Sequence, residues 1–260
     1  MAYSLSLYLE DARSLSRDSL GLFTSTAQLT RWINQARRQA ARRTGCVRLL
    51  LCGQSQYGAS AQPGFAVPGA AVPGNLPNAA QGSGSTNLFQ TIPGVESYPF
   101  AWANNYLREQ YEGADIIIDV FDCAVAWGSS TYRPVLNWCP WVAMQAYMRS
   151  YNVLNSAFPL WWSTMGDGDT QVVYLWPPPV EALELEWEVM AVPKPLYSDN
   201  DYEILPDNYS QAIKFGAAAL SYVNSRPEQA QIMWNNFLDV LGVGRFAGDY
   251  GHIPSMYDNG

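Results

Sequence analysis

The sequence predicts an α+β protein, and three observations carry that prediction. Apolar residues recur at helical spacing in the first fifty positions and again after about residue 205. Between about residues 115 and 204 the pattern switches to β alternation. After Gly242 the chain turns Gly-rich and aromatic with no period, which reads as an extended C-terminal arm. With 260 residues and 48% hydrophobic content, there is ample material for one sizeable domain or two small ones.

Residues 3–17 read as a first helix with Leu5, Leu9 and Ala12 inward, and a turn at Gly21 leads into a second helix. That second helix has complete start and stop signals. Ser25 can cap it, Gln28 three residues later completes a capping box, and Gly45 supplies the left-handed position that ends it. Leu29, Ile33, Ala36 and Ala40 form a narrow apolar stripe, while Arg31, Arg38 and Arg42 project from the opposite side. The two helices are expected to form a hairpin over residues 1–48.

Residues 49–114 are read as a long Gly/Pro-rich loop. From Leu49 to Val95 there is no charged residue, and Pro-Gly pairs at 63–64, 68–69, 73–74 and 93–94 repeat a turn signal. Low charge suits a loop pressed against neighbouring protein surface, and the same composition equally suits a disordered segment.

A β-rich domain is expected at 115–204. Residues 116–126 read as a strand, and Gly128 begins a turn into 132–136. Residues 142–154 can form a short helix, and 171–176 and 183–192 read as strands joined by a turn at Pro177. In the last of these, Leu183, Leu185, Trp187 and Val189 alternate with Glu184, Glu186 and Glu188, which sets three carboxylates on one face of a half-buried strand. Helices follow at 205–241, one from about Asp207 to about Asn224 and one opened by Pro227, and the arm occupies 242–260. In the arm, Phe246, Tyr250 and Tyr257 offer anchors without a self-contained core.

The net charge of −8 is unevenly spread. Residues 1–50 hold eight arginines against Glu10, Asp11 and Asp18, a net +5 that leaves −13 on the remainder. This asymmetry suggests a basic docking surface on an anionic body. DNA binding is the obvious reading of Arg37-Arg38 with Arg42-Arg43, but a DNA reader usually has a basic domain and this chain has a pI near 4.6. An acidic protein partner fits better, and a merely solvated helix face remains the plain alternative.

Several chemistries find little footing. Cys46, Cys52, Cys123 and Cys139 lack C-x-x-C spacing, and the single histidine cannot complete a Cys₂His₂ zinc site, so reduced and mostly buried thiols are expected. Alternate strand residues lie about 6–7 Å apart, too far for three glutamates on one strand to enclose a cation that wants oxygens at about 2.0–2.6 Å. Gly242-x-Gly244-x-x-Ala247 lacks the strand before and helix after that a dinucleotide site needs. Asp167-Gly-Asp169 lacks the other calcium ligands and reads as a hairpin turn, and His252 sits in the tail without a nearby cysteine. Trp127, Trp138, Trp141, Trp161, Trp162, Trp176 and Trp187 could make a carbohydrate platform, but packing is the commoner use of such rings. No catalytic, metal or cofactor-binding residue is assigned. There is no apolar run of about 18 residues and no secretory signal pattern, so a soluble protein made in the cytoplasm is expected.

One resemblance spans most of the chain. The second helix, preceded by Leu5-x-x-x-Leu9-x-x-x-Arg13, is followed in order by Asp115-Ile-Ile-Ile-Asp-Val-Phe-Asp-Cys-Ala-Val-Ala-Trp-Gly128, Val173-Tyr-Leu-Trp-Pro-Pro-Pro179, Glu184-Leu-Glu-Trp-Glu188 and Leu205-Pro-Asp-Asn-Tyr-Ser-Gln-Ala-Ile-Lys-Phe-Gly-Ala-Ala-Ala219. This succession resembles the head-to-tail adaptor proteins of tailed bacteriophages, also called head-completion or gatekeeper proteins. The region from Cys52 to Glu96 departs from it, being far richer in Gly and Pro than the short link of compact members.

The resemblance implies an α+β adaptor subunit in which N- and C-terminal helices form a bundle, with an inserted β domain and an extended C-terminal arm. It implies a twelve-fold ring between portal and tail that seals the filled head and leaves a DNA channel. Partners would be the portal protein, tail or nozzle proteins, further copies of the chain, and DNA that passes without sequence-specific binding. No membrane, cofactor or chemical step is involved. On that reading Arg31, Arg38, Arg42, Phe246, Tyr250 and Tyr257 are candidates for the portal or neighbour interface, and Glu184, Glu186 and Glu188 for the channel lining. A phage-borne cell-wall hydrolase and a carbohydrate-binding tail protein are the alternatives.

Overall fold

The computed structural model describes residues 3–17, 24–52, 89–126, 134–150, 158–166 and 170–242. Among these, in chain order, are α1 (Leu5–Ser16), α2 (Thr26–Thr44), β1 (Arg48–Cys52), β2 (Ser97–Pro99), α3 (Phe100–Gln110), β3 (Ala114–Ala126), β4 (Asn137–Trp138), α4 (Trp141–Ser150), β5 (Trp161–Met165), β6 (Val172–Trp176), β7 (Glu184–Pro193), α5 (Asp207–Tyr222) and α6 (Pro227–Leu241). The protein is therefore mixed α+β. It divides into two compact units, one from Met1–Val47, Glu112–Ala114 and Ala191–Gly260, the other from Arg48–Tyr111 and Asp115–Met190.

In the first unit, local sequence sets the helix ends. Ser4 caps α1 by accepting from the Leu7 N–H, and Ser25 caps α2 by accepting from the Gln28 N–H at 3.3 Å. Gly45 closes α2 at φ 60°, the left-handed conformation its sequence position predicts. Leu29, Ile33, Ala36 and Ala40 are all buried, as the helical period requires. Against them packs α5, whose alanines Ala217, Ala218 and Ala219 are likewise buried. The approach is tight at Gly216, where an added Cβ would lie 2.9 Å from the Ala36 Cβ and 3.1 Å from the Phe237 ring. Tyr222 of α5 donates its hydroxyl to the Leu15 carbonyl at 3.1 Å, fastening α5 to the end of α1. Pro227 opens α6 and Gly242 ends it, both as expected.

The second unit holds two sheets. In the first the order is β1-β7-β3, with β1 antiparallel to β7. In the second it is β2-β6-β5-β4, antiparallel except for the parallel pair β4–β5. Leu185, Trp187 and Val189 of β7 face the core. There Phe89 meets Trp187 edge-on at 5.0 Å and stacks on Trp102 of α3 at 5.1 Å. The buried Asn104 carboxamide accepts from the Ile117 N–H at 2.8 Å, fixing α3 against β3.

Several expectations are corrected. Residues 49–114 are not loop throughout: they include most of β1, all of β2 and all of α3. Helix α3 lacks a Ser, Thr or Asp cap; it begins after Pro99, with the Phe100 N–H satisfied across the unit by the Gln171 carbonyl at 2.9 Å. Strand β5 was unpredicted because Trp161-Trp-Ser-Thr-Met has no clean alternation. The helix expected at 142–154 runs from Trp141 to Ser150 over its described length. Of the strand expected at 132–136, the described part joins β3 through an Ala124–Val135 bridge and a 2.8 Å bond from the Leu136 N–H to the Cys123 carbonyl.

The Gly216 approach yields a prediction. Gly216→Val forces a branched side chain into backbone-anchored atoms of α2, so overpacking should lower unfolding free energy by about 1–3 kcal/mol in urea titrations.

Candidate interaction surface of the basic helix

The arginines of α2 separate into two classes. Arg37 is fully buried. Its Nε and Nη2 donate to Glu203 Oε2 and Oε1, each at 2.8 Å, in the bidentate geometry that a guanidinium and a carboxylate share. Its Nη1 donates to Asn34 Oδ1 at 3.0 Å and to the Lys194 carbonyl at 2.8 Å. Glu203 is equally well supplied: Oε2 accepts from the Tyr8 hydroxyl at 2.9 Å and Oε1 from the Leu205 N–H at 3.0 Å. Burial, and secondarily the Glu203 charge, push the Tyr8 hydroxyl well above its ordinary pKa, so it serves as a permanent donor.

The remaining arginines are arranged outward. Arg31 and Arg42 are exposed and Arg38 is half-buried. Arg43 is exposed and lies over the Trp234 ring at 5.6 Å. The cationic face thus comprises Arg31, Arg38 and Arg42, while Arg37, which the sequence groups with Arg38, belongs to the interior. Its position was detectable: Arg37 follows the buried Ile33 by four residues, on the apolar side of the helix. Glu203 gave a weaker signal, lying just before the apolar pair Ile204-Leu205.

The acidic strand face is narrower than expected. Glu186 and Glu188 are partly exposed, but Glu184 is buried, so the three carboxylates do not share one solvated face. The cause is the chain around Phe89: Gln90 bridges to Glu184, and the Leu185 N–H donates to the Phe89 carbonyl at 2.9 Å. Glu188 is also paired with Arg48 at 3.5 Å, and Arg48 lies over the Phe121 ring at 4.2 Å.

Phe246, Tyr250 and Tyr257, and with them the whole arm after Gly242, lie outside the described residues, as do Trp127, the 167–169 turn and His252. Of the other tryptophans, Trp162 and Trp187 are buried, Trp141 packs on Tyr174 at 4.2 Å and Trp161 stacks on Tyr147 at 5.4 Å. Trp138 is the exception at 59% exposed. Burial holds the thiols of Cys46, Cys123 and Cys139 above their ordinary range, which leaves them protonated and weakly nucleophilic at neutral pH. Among the described residues no three His, Cys, Asp or Glu side chains gather as metal ligands, and no helix is long and apolar enough to cross a membrane.

What this arrangement offers is one helix face carrying the Arg31, Arg38 and Arg42 guanidinium groups. Neither the protein-family models nor the curated proteins include a match to this chain.

The two arginine classes should respond differently to substitution. Arg37→Ala strands a buried carboxylate and should cost about 3–5 kcal/mol of stability. Arg31→Glu, at an exposed site in the middle of the helix, should change it by no more than about 0.5 kcal/mol. Chemical denaturation of the two variants beside the wild type checks both.

Proposed function

We propose that this protein is a head-to-tail adaptor of a tailed bacteriophage. On this reading its copies form a ring, twelve-fold to match the portal, at the head-tail interface of the virion. The ring seals the filled head, offers the tail or nozzle proteins a docking surface and leaves an axial channel for DNA. The observation that carries the reading is the ordered succession of sequence landmarks over most of the chain. It is supported by the grouping of α1, α2, α5 and α6 in one compact unit and of residues 48–111 and 115–190 in the other. That grouping suits a bundle of terminal helices with an inserted β domain.

The mechanism is binding and gating, with no chemical step. Arg31, Arg38 and Arg42 would meet acidic groups of the portal or of a neighbouring subunit, adding charge complementarity and steering to docking. DNA must slide through without sticking, and a cationic wall would add counterion-release affinity at each phosphate contact. On this reading Glu186 and Glu188 border the channel, Glu188 with its charge partly offset by Arg48, while the buried Glu184 does not reach the wall.

DNA-filled heads lacking tails test the proposal. Added protein should render the packaged DNA nuclease-resistant, and the Arg31→Glu/Arg42→Glu variant should protect at least about tenfold less well at equal concentration, equivalent to about 1.4 kcal/mol of docking energy. Heads that leak equally with and without the protein would refute it.

A further inference from the structure

One face of α1 and the start of α2 border a groove of about 760 Å³, and its lining includes Leu9, Glu10, Arg13, Ser14, Arg17 and Thr26. The α1 residues recur three or four positions apart, so they share one face of the helix. Both arginines lack an ion-pair partner among the described residues. The described ion pairs join Arg37, Arg48, Arg108 and Lys214 to acids, and Arg13 and Arg17 are in none of them. Arg13 Nη2 donates to the Thr26 hydroxyl at 2.7 Å, a neutral partner, while its Nε is buried and has no acceptor among the described residues. Such donors are rare in folded proteins, and each points to an acceptor still to be found. Arg17 is exposed and sits at φ 57°, the one described non-glycine residue in the left-handed region. Glycine or asparagine ordinarily takes that place after a helix, so a long cationic side chain is held there against a steric cost.

We propose that this groove binds the phosphate monoester of a small hydroxylated molecule, with the phosphoryl group held by Arg13 and Arg17. Two guanidinium groups one helical turn apart suit an oxyanion that carries two charges, and the Ser14 and Thr26 hydroxyls serve its remaining oxygens. Glu10 narrows the choice. Its carboxylate repels a bare oxyanion but accepts a hydrogen bond from a ligand that brings its own O–H beside the phosphoryl group. The groove is also larger than a lone oxyanion needs and falls in the size range of small-molecule sites, which leaves room for the esterified part along Leu9. None of Arg31, Arg38 and Arg42 lines it, so the site is separate from the α2 face proposed for docking.

Isothermal titration calorimetry of the purified full chain with glycerol phosphate, at low ionic strength so that screening is weak, tests the proposal. The wild type should bind it saturably at one site and at least about tenfold more tightly than inorganic sulfate, which has no O–H to offer Glu10. Glu10→Gln should narrow that gap. Arg13→Gln with Arg17→Gln should weaken glycerol phosphate binding by about tenfold or more, whereas Arg31→Gln, at an exposed arginine outside the groove, should leave it unchanged. Because Arg13→Gln also breaks the bond to Thr26, amide resonances of the wild type give a reading that needs no variant: those of Ser14 and Thr26 should shift as glycerol phosphate is added. Absence of saturable binding, equal binding of sulfate, unchanged binding by the double variant, or shifts that leave Ser14 and Thr26 untouched would each overturn the inference. Any of these results leaves the adaptor reading intact, since docking is assigned to other arginines.

Discussion

The buried pair of Arg37 and Glu203 is the constraint on which the helical unit depends. Removing two charges from water costs several kcal/mol each, and the interior tolerates them only when geometry is good and every remaining donor and acceptor is satisfied. Here the guanidinium donates four hydrogen bonds, two of them to the carboxylate, and the carboxylate accepts further bonds from Tyr8 and the Leu205 backbone. Those partners come from α1, from α2 and from the chain between Lys194 and Leu205, segments far apart in sequence. A single ion pair thus fixes how the N-terminal helices sit against the chain that leads into α5. It also fixes the rotation of α2 about its axis, and that rotation turns Arg31 and Arg42 outward.

Much of this unit was legible because its signals are local. Ser25, Gly45, Pro227 and Gly242 act through the backbone of their own helix ends, and the stripe from Leu29 to Ala40 follows from a 3.6-residue period. The position of Arg37 followed from the same period, yet a charged side chain on an apolar face cannot be assigned inward until its counter-charge is known, and Glu203 lies 166 residues away. The β-rich unit was harder for a related reason. Strand β5 pairs with β6 and β4 through register, with no period of its own, and α3 takes its first backbone partner from Gln171. Glu184 shows the limit of alternation: the pattern names its side of the strand correctly, but the segment around Phe89 decides whether that side reaches water.

The distribution of charge connects the two units to the proposed role without reference to their arrangement. Cationic groups concentrate on α2 and acidic groups on the sheet-bearing residues. On the proposed reading, the cationic helix face would select an anionic partner and speed its encounter, and an acidic wall would let a polyanion pass. A ring subunit that docks on another protein and encloses DNA needs both.

Negative-stain images of the purified protein mixed with the portal protein that the proposed role calls for test the central claim most directly. The account predicts a coaxial ring on the portal with the portal's own rotational symmetry and an open central channel. Portals that remain bare, with the added protein dispersed as separate particles, would contradict it.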